Sequence, residues 1–208
     1  MGALCFGDRY VVCVCAADQE VQAAPTAPEF STAIHAGERK RGSELIRAAV
    51  LTISDKGARG EREDKSGQVI RDLLGEIPAE EVSYEVVPDE QEIIESKLRE
   101  LALKADLVVT TGGTGVAPRD VTPEATRQVI DRELPGFGEA MRMESFRKTP
   151  FALVSRAMAG FAGQTLILNL PGSPKAVDEC LRVVLPAIGH TIEKALGDSS
   201  DCAEPEKS

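Results

Sequence analysis

Apolar and polar positions switch repeatedly between two periods along the middle of the chain. Residues 48–53 form a nearly unbroken apolar run, as expected of a strand covered on both faces. Residues 65–74 then place Val69, Ile70, Leu73 and Leu74 on one side of a helix. Residues 82–87 read as a second strand. Asp89 and Glu92 form a D-x-x-E capping pattern, behind which Ile94, Leu98 and Leu101 recur at helical spacing to about residue 104. A third strand is expected at 107–111, followed by a glycine-rich loop. Thr122 and Pro123 suit the N-cap and first turn of a helix reaching residue 132. A shorter helix covers 138–146, and 165–170 is a further buried strand. Ser173 and Pro174 open a last helix with Val177, Leu181, Val184 and Leu185 on one face, which Pro186 should kink or divide.

This alternation predicts an α/β fold, a three-layer sandwich with a mostly parallel central sheet and helices on both faces. Ligands of such sheets bind beyond the carboxyl ends of the strands, where loops run into helix N-termini. Four such loops converge on one rim. Ile53 leads to Ser54 and Asp55; Val87 to Pro88 and Asp89; Thr111 to Gly112, Gly113, Thr114 and Gly115; and Asn169 to Pro171, Gly172 and Ser173.

The ends of the chain lack this periodicity. Residues 1–46 carry Pro25, Pro28 and a charged run from Glu38 to Arg41, and read as an extension or linker; 10–15 could form a short strand. Residues 198–208 are an acidic tail, which leaves 47–197 as the folded domain. The longest apolar run, residues 10–17, is far shorter than the roughly 20 residues that a membrane helix needs, and no secretory signal is expected. A cytoplasmic location follows as the expectation. Among 208 residues, 24 basic against 34 acidic side chains give a formal charge of −10, and there is no Trp. Such a chain repels a polyanion and offers no stacking platform, which excludes nucleic acid as a partner. Five cysteines, an odd number, read as free thiols; the Cys13-x-Cys15 pair has no second pair or suitably spaced histidine to make a zinc site.

The chemistry lies on the rim. TTGGTG at 110–115 matches neither the Walker pattern nor the dinucleotide fingerprint, and by residue type reads either as a phosphate cradle or as a tight turn. Asp89 and Asp120 stand before predicted helices, where aspartate commonly caps. Two carboxylates beside a glycine loop are equally what Mg²⁺ bridging phosphate oxygens requires. With only His35 and His190 in the chain, the chemistry should need no histidine base.

The stretch TTGGTGVAPRDVTPEAT at 110–126 resembles the signature of the molybdenum-cofactor biosynthesis domain. The likeness extends through TISDKG (52–57), EDKSG (63–67), VVPDE (86–90), LPGFGEAMR (134–142), LVSRAMAG (153–160) and NLPGSPK (169–175). Within that family the chain is most similar to the molybdopterin adenylyltransferases, the bacterial MogA type and the G domain of gephyrin, with MoaB a close relative. The resemblance implies an α/β homotrimer that joins AMP from Mg²⁺-ATP to the terminal phosphate of molybdopterin, releasing pyrophosphate, with a molybdenum insertase as a further partner. It puts the family's two functional aspartates, which would hold Mg²⁺, on Asp89 and Asp120. It also puts nucleotide or pterin contacts on Thr111, Gly112, Gly113, Thr114 and Gly115, and on Ser155, Arg156, Asn169, Pro171, Gly172 and Ser173. Ser54, Asp55 and residues 64–67 lie on the first loop. The alternative is a non-catalytic pterin-binding or scaffolding trimer, or a MoaB-like protein.

Overall fold

The structure is a computed structural model that describes Phe30 and residues 45–198; the possible strand at 10–15 and the tail from 199 lie outside the described residues. Six strands form one sheet: β1 (Ile46–Ile53), β2 (Ala79–Val87), β3 (Leu107–Thr111), β4 (Arg132–Glu133), β5 (Ala159–Ala162) and β6 (Thr165–Leu170), in the order β2-β1-β3-β6-β5-β4. The four strands from β2 to β6 run parallel, in a register that sets Thr52 beside Thr111 and Thr111 beside Leu170. Strands β5 and β4 close one edge antiparallel.

Helices cover both faces: α1 (Asp55–Ala58), α2 (Lys65–Leu74), α3 (Gln91–Ala102), α4 (Thr122–Arg127), α5 (Pro135–Lys148) and α6 (Pro174–Ala195), with a 3₁₀ turn at Pro150–Val154. The alternation of side chains along each strand sorts the core into two layers. Ala48, Val50, Leu107, Val109, Leu166 and Leu168 meet Ile70 and Leu73 of α2, Met141 of α5 and Leu181 of α6. Ala49, Leu51, Val108 and Ile167 meet Ile94 and Leu98 of α3, Ala125 of α4, and Phe30. Both faces of β1, β3 and β6 are buried, which is why their sequences read as apolar runs, whereas the edge strand β2 is largely exposed and mixed in sequence; each fully buried Leu or Ile contributes roughly 1.5–3 kcal/mol of transfer free energy.

The sheet and its main helices agree with the hydrophobic pattern, and several details differ. Helix α4 stops at Arg127, and the chain turns so that the Asp131 N–H donates to the Phe161 carbonyl (2.8 Å), starting the edge strand β4. Helix α5 runs from Pro135 to Lys148, longer at both ends than 138–146. Pro186 lies inside α6 without dividing it, because Leu185 and Ile188 on either side are anchored in the core. The N-cap of α3 is Glu90, with no side-chain capping bond, and Asp89 is turned elsewhere. Cys180 is a buried free thiol within 3.4 Å of the Ser145 hydroxyl.

Candidate functional site

Each of the four parallel strands ends in a segment that turns back over the sheet. After β1, Ser54 caps α1 by accepting the Gly57 N–H (3.1 Å). The next residue, Asp55, donates its N–H to Oδ2 of Asp89 (2.8 Å), while the Asp89 N–H donates to Oδ1 of Asp55 (3.1 Å). The ends of β1 and β2 are thereby tied to each other. Arg119 forks the Asp55 carboxylate, with Nη2 2.7 Å from Oδ1 and Nε 3.1 Å from Oδ2. That hydrogen-bonded guanidinium holds the Asp55 carboxyl below the usual carboxylate range. Burial pushes Asp89 up, and the negative charges of Asp55 and Asp120 add to the rise against the Asp55 N–H and Arg119.

The loop after β3 needs glycine for steric reasons. Gly112 has φ +98°, and a Cβ there would lie 2.2 Å from the Ile53 carbonyl oxygen. Gly113 has φ +63°, and its Cβ would meet the Thr122 hydroxyl at 2.3 Å. Thr122 does not act as an N-cap side chain; its hydroxyl donates to the Gly112 carbonyl (2.9 Å) and its N–H to the Gly113 carbonyl (3.1 Å), fastening the loop to α4. Thr111 and Thr114 donate to the Pro171 and Leu170 carbonyls (2.7 and 3.4 Å), joining this loop to the one after β6. There Gly172 lets the two backbones approach, and Ser173 caps α6 through the Ala176 N–H (3.2 Å).

Asp64 caps α2 by accepting the Gly67 N–H (2.9 Å), and its other oxygen receives the Tyr84 and Thr52 hydroxyls. Gly67 is required here, since a Cβ would run into that oxygen at 2.2 Å. Burial and the bond to Asp64 push the Tyr84 phenol up to about 12. Ser66 donates to the Gly172 carbonyl (2.8 Å), so the α2 and α6 N-termini face one space.

That space is a cavity of about 390 Å³. Of the residues expected at the site, it is lined by Ser54, Asp89, Thr111, Gly112, Gly113, Gly172 and Ser173, with Asp64, Lys65 and Ser66 of the first loop. Arg62, which sequence reasoning missed, also lines it; its signal is the dense charge just ahead of the α2 start. The other expected residues, Asp55, Thr114, Gly115, Asp120, Ser155, Arg156, Asn169 and Pro171, are not on its lining. Asn169 is fully buried within the sheet, donating to the Thr110 hydroxyl (2.9 Å). Pro171 and Thr114 take part in the contacts between loops. The Ser155 hydroxyl accepts the Ala157 N–H (3.3 Å), and Gly115 and Arg156 are bonded to each other through carbonyl and guanidinium.

Neither aspartate caps a helix. Asp120 uses Oδ2 to accept the Ala117 N–H (2.8 Å), and Asp89 uses Oδ2 for Asp55. Among the described residues, Oδ1 of each has no hydrogen-bond partner, and Oδ1 of Asp89 points at the glycine loop, 3.4 Å from where a Gly113 Cβ would stand. No cluster of three or more His, Cys, Asp or Glu able to cage a metal occurs among the described residues. The open Oδ1 of Asp89, on the cavity lining, is an oxygen of the kind that a hydrated Mg²⁺ carried mainly by phosphate and water takes; Asp120 is not on that lining.

A family described as "Probable molybdopterin binding domain" matches residues 49–190. The chain is 46% identical over 159 residues to a molybdopterin adenylyltransferase of Helicobacter pylori, covering 74% of this chain and 90% of that protein. It is 44% identical over 151 residues to the molybdopterin adenylyltransferase of Escherichia coli K12, covering 71% and 77%. A crystal structure of the molybdopterin biosynthesis enzyme MoaB from Thermus thermophilus superimposes with a TM-score of 0.70 at 51% identity, covering 74% of this chain and 98% of that one.

Proposed function

The chain belongs to the molybdopterin-binding domain family, and from that premise we propose that it is a molybdopterin adenylyltransferase of molybdenum cofactor biosynthesis, transferring AMP from Mg²⁺-ATP to the terminal phosphate of molybdopterin. One observation carries this reading: positive-φ glycine backbone, Lys65, Arg62 and two helix N-termini share a cavity with Asp89, alongside the further carboxylates of Glu63 and Asp64. Cations, amides and the positive ends of helices are what a pair of phosphorylated substrates needs, and the carboxylate supplies a seat for a cation between them.

The reaction asks for no base. The attacking atom is a phosphate oxygen of the pterin, anionic at neutral pH; it forms a bond to the α-phosphorus of ATP as the bond to the β-phosphate bridge oxygen breaks and pyrophosphate leaves. Gly112 and Gly113 let backbone approach the phosphates, Lys65 and Arg62 offset part of their charge, and Ser54, Ser66 and Ser173 line the same cavity. Asp89 and Asp120 would hold Mg²⁺, which when bound neutralises charge on the transferring phosphate. Catalysis is then positioning and electrostatics.

The proposed catalytic unit is 47–197, acting as a cytoplasmic homotrimer that passes its product to a molybdenum insertase. Trimer formation is supported by exposed apolar side chains grouped at the end of α5 and in the 3₁₀ turn, namely Phe146, Phe151, Leu153 and Val154. No helix among the described residues is long and apolar enough to cross a membrane. The 51% identity to MoaB favours a second reading, a MoaB-like or scaffolding trimer that binds pterin without turnover. Pyrophosphate release from ATP that depends on added molybdopterin separates the two; binding without release supports the second.

A further inference from the structure

We infer that Arg156 is a positioning residue that clamps the loop between Gly115 and Asp120, setting the glycine cradle and the Asp120 carboxylate relative to each other. The inference rests on the adenylyl-transfer reading for its kinetic arm. Its structural arm is independent.

Every nitrogen of the guanidinium is bonded to protein. Nε donates to the Gly115 carbonyl (2.7 Å), Nη2 to the Asp120 carbonyl (2.5 Å), and Nη1 pairs with the Glu124 carboxylate. The Arg156 N–H donates to the Thr114 carbonyl (2.9 Å). One residue thus grips the loop where it leaves the cradle and where it returns to α4. Between those grips, residues 116–119 are exposed, held within the segment by the turn in which Ala117 and Asp120 exchange bonds and tied outside it by the Arg119 fork on Asp55. Arg156 is not among the residues lining the cavity, and its planar fork is spent on three oxygens in fixed directions. The Asp120 main chain is gripped by Arg156 while its side chain accepts from Ala117, so the direction of its remaining oxygen follows from the clamp. Glu124 is the second half of the device. It stands in the first turn of α4 and aims the guanidinium; its Oε2 is buried with no hydrogen-bond partner among the described residues, and Arg156 is the cation it is bonded to, with the charge of Arg127 acting in the same sense.

The experiment compares the full chain with Arg156→Lys, Arg156→Gln and Glu124→Gln, measuring kcat and KM for molybdopterin and for ATP, and the rate of trypsin cleavage after Arg119 in the protein alone. A clamp predicts that Arg156→Gln lowers kcat by about 10- to 100-fold with both KM values within about twofold, since misplacing a reacting group acts on the transition state more than on ground-state binding. Arg156→Lys should recover part of the loss. Glu124→Gln should lower kcat in the same sense by about threefold or more, because it weakens the aim of the fork without touching the cavity. Cleavage after Arg119 should quicken in both uncharged variants. A phosphate ligand would behave otherwise: a rise of about tenfold in KM for molybdopterin at constant kcat in Arg156→Gln, with Glu124→Gln neutral, overturns the inference. If Arg156→Gln fails to fold, Glu124→Gln decides alone, and unchanged kcat with unchanged cleavage rejects the clamp. A wild-type protein that releases no pyrophosphate removes the adenylyl-transfer reading, and the cleavage rates then decide the clamp by themselves.

Discussion

Asp55 and Asp89, 34 positions apart, each accept the other's backbone N–H, at 2.8 and 3.1 Å. The exchange consumes Oδ2 of Asp89 and leaves Oδ1 toward the glycine loop. It also places two carboxylates side by side, with Arg119 as the compensating cation on Asp55. A carboxylate used this way is a joint between strand ends as well as a candidate metal seat, and substitution can separate the two roles.

Asp89→Asn and Asp120→Asn keep an amide oxygen for the Asp55 and Ala117 N–H groups. Stability should therefore change by no more than about 1 kcal/mol. Removing a charge from the proposed cation seat should lower adenylylation by about 100-fold or more, roughly 2.7 kcal/mol of barrier. Adenylylation rates measured alongside thermal unfolding check this; near-normal rates in both variants reduce these residues to joints.

Gly112→Ala and Gly172→Ala differ by one alanine methyl each, yet should differ sharply in outcome. The first adds a Cβ at φ +98° and 2.2 Å from a carbonyl oxygen of β1, and should cost about 3 kcal/mol or more; the second meets the Gly112 Cα at 3.3 Å, for which a local shift of about 1 kcal/mol suffices. Urea unfolding of the two variants gives the comparison.

Tyr84 should titrate late. Its folded pKa of about 12 lies above the ordinary phenol value of 10, so the neutral form is favoured in the fold. The contribution is fully present below pH 10 and is lost as pH rises from 10 through about 12. Phenolate absorbance in a Tyr10→Phe background reports Tyr84 directly. Asp64→Asn should move the transition down, and an unmoved transition would leave burial as its sole cause.

Deleting residues 1–44 preserves β1 from Ile46 and should leave a domain that unfolds cooperatively and remains active. The deletion also removes Phe30, 3% exposed in the core layer beneath α3 and α4. Loss of that ring should lower stability by about 3 kcal/mol, and Phe30→Ala in the full chain should reproduce most of the effect. Denaturant midpoints of the three proteins test both statements.

Sedimentation at micromolar concentration should show a trimer. Phe151→Asp, at a residue 79% exposed in the single chain, should dissociate it if this group of apolar side chains is the contact. A monomer throughout the concentration range contradicts the assembly.

Strands β1, β3 and β6 and the covering helices are legible because burial on two faces writes an unbroken apolar run, and a helix packed on one face writes a 3.6-residue period; the edge strand β2 is mostly exposed, so only 82–87 of its length is readable. The edge formed by β4 and β5 is not: Arg132–Glu133 and Ala159–Ala162 are too short and too small-residued to carry an alternation. The glycine loop and the two aspartates were visible as residue types, while their arrangement was not. The Asp89-x-x-Glu92 pattern is a local reading of capping, and it loses to a partner 34 positions away. Arg156 likewise finds Glu124 across 32 positions, a pairing that no local spacing announces.

The cavity draws one wall from Thr52 at the end of the first strand and another from Pro174 at the start of the last helix, with β1 and β3 in register between them. Chain closure over such separations comes late and slowly in folding, because its entropy must be met before the contacts exist. No fragment or half-formed sheet owns a partial version of the pocket. Ligand occupancy is consequently a reporter of finished folding, and a bound nucleotide or pterin should slow global unfolding instead of protecting one segment.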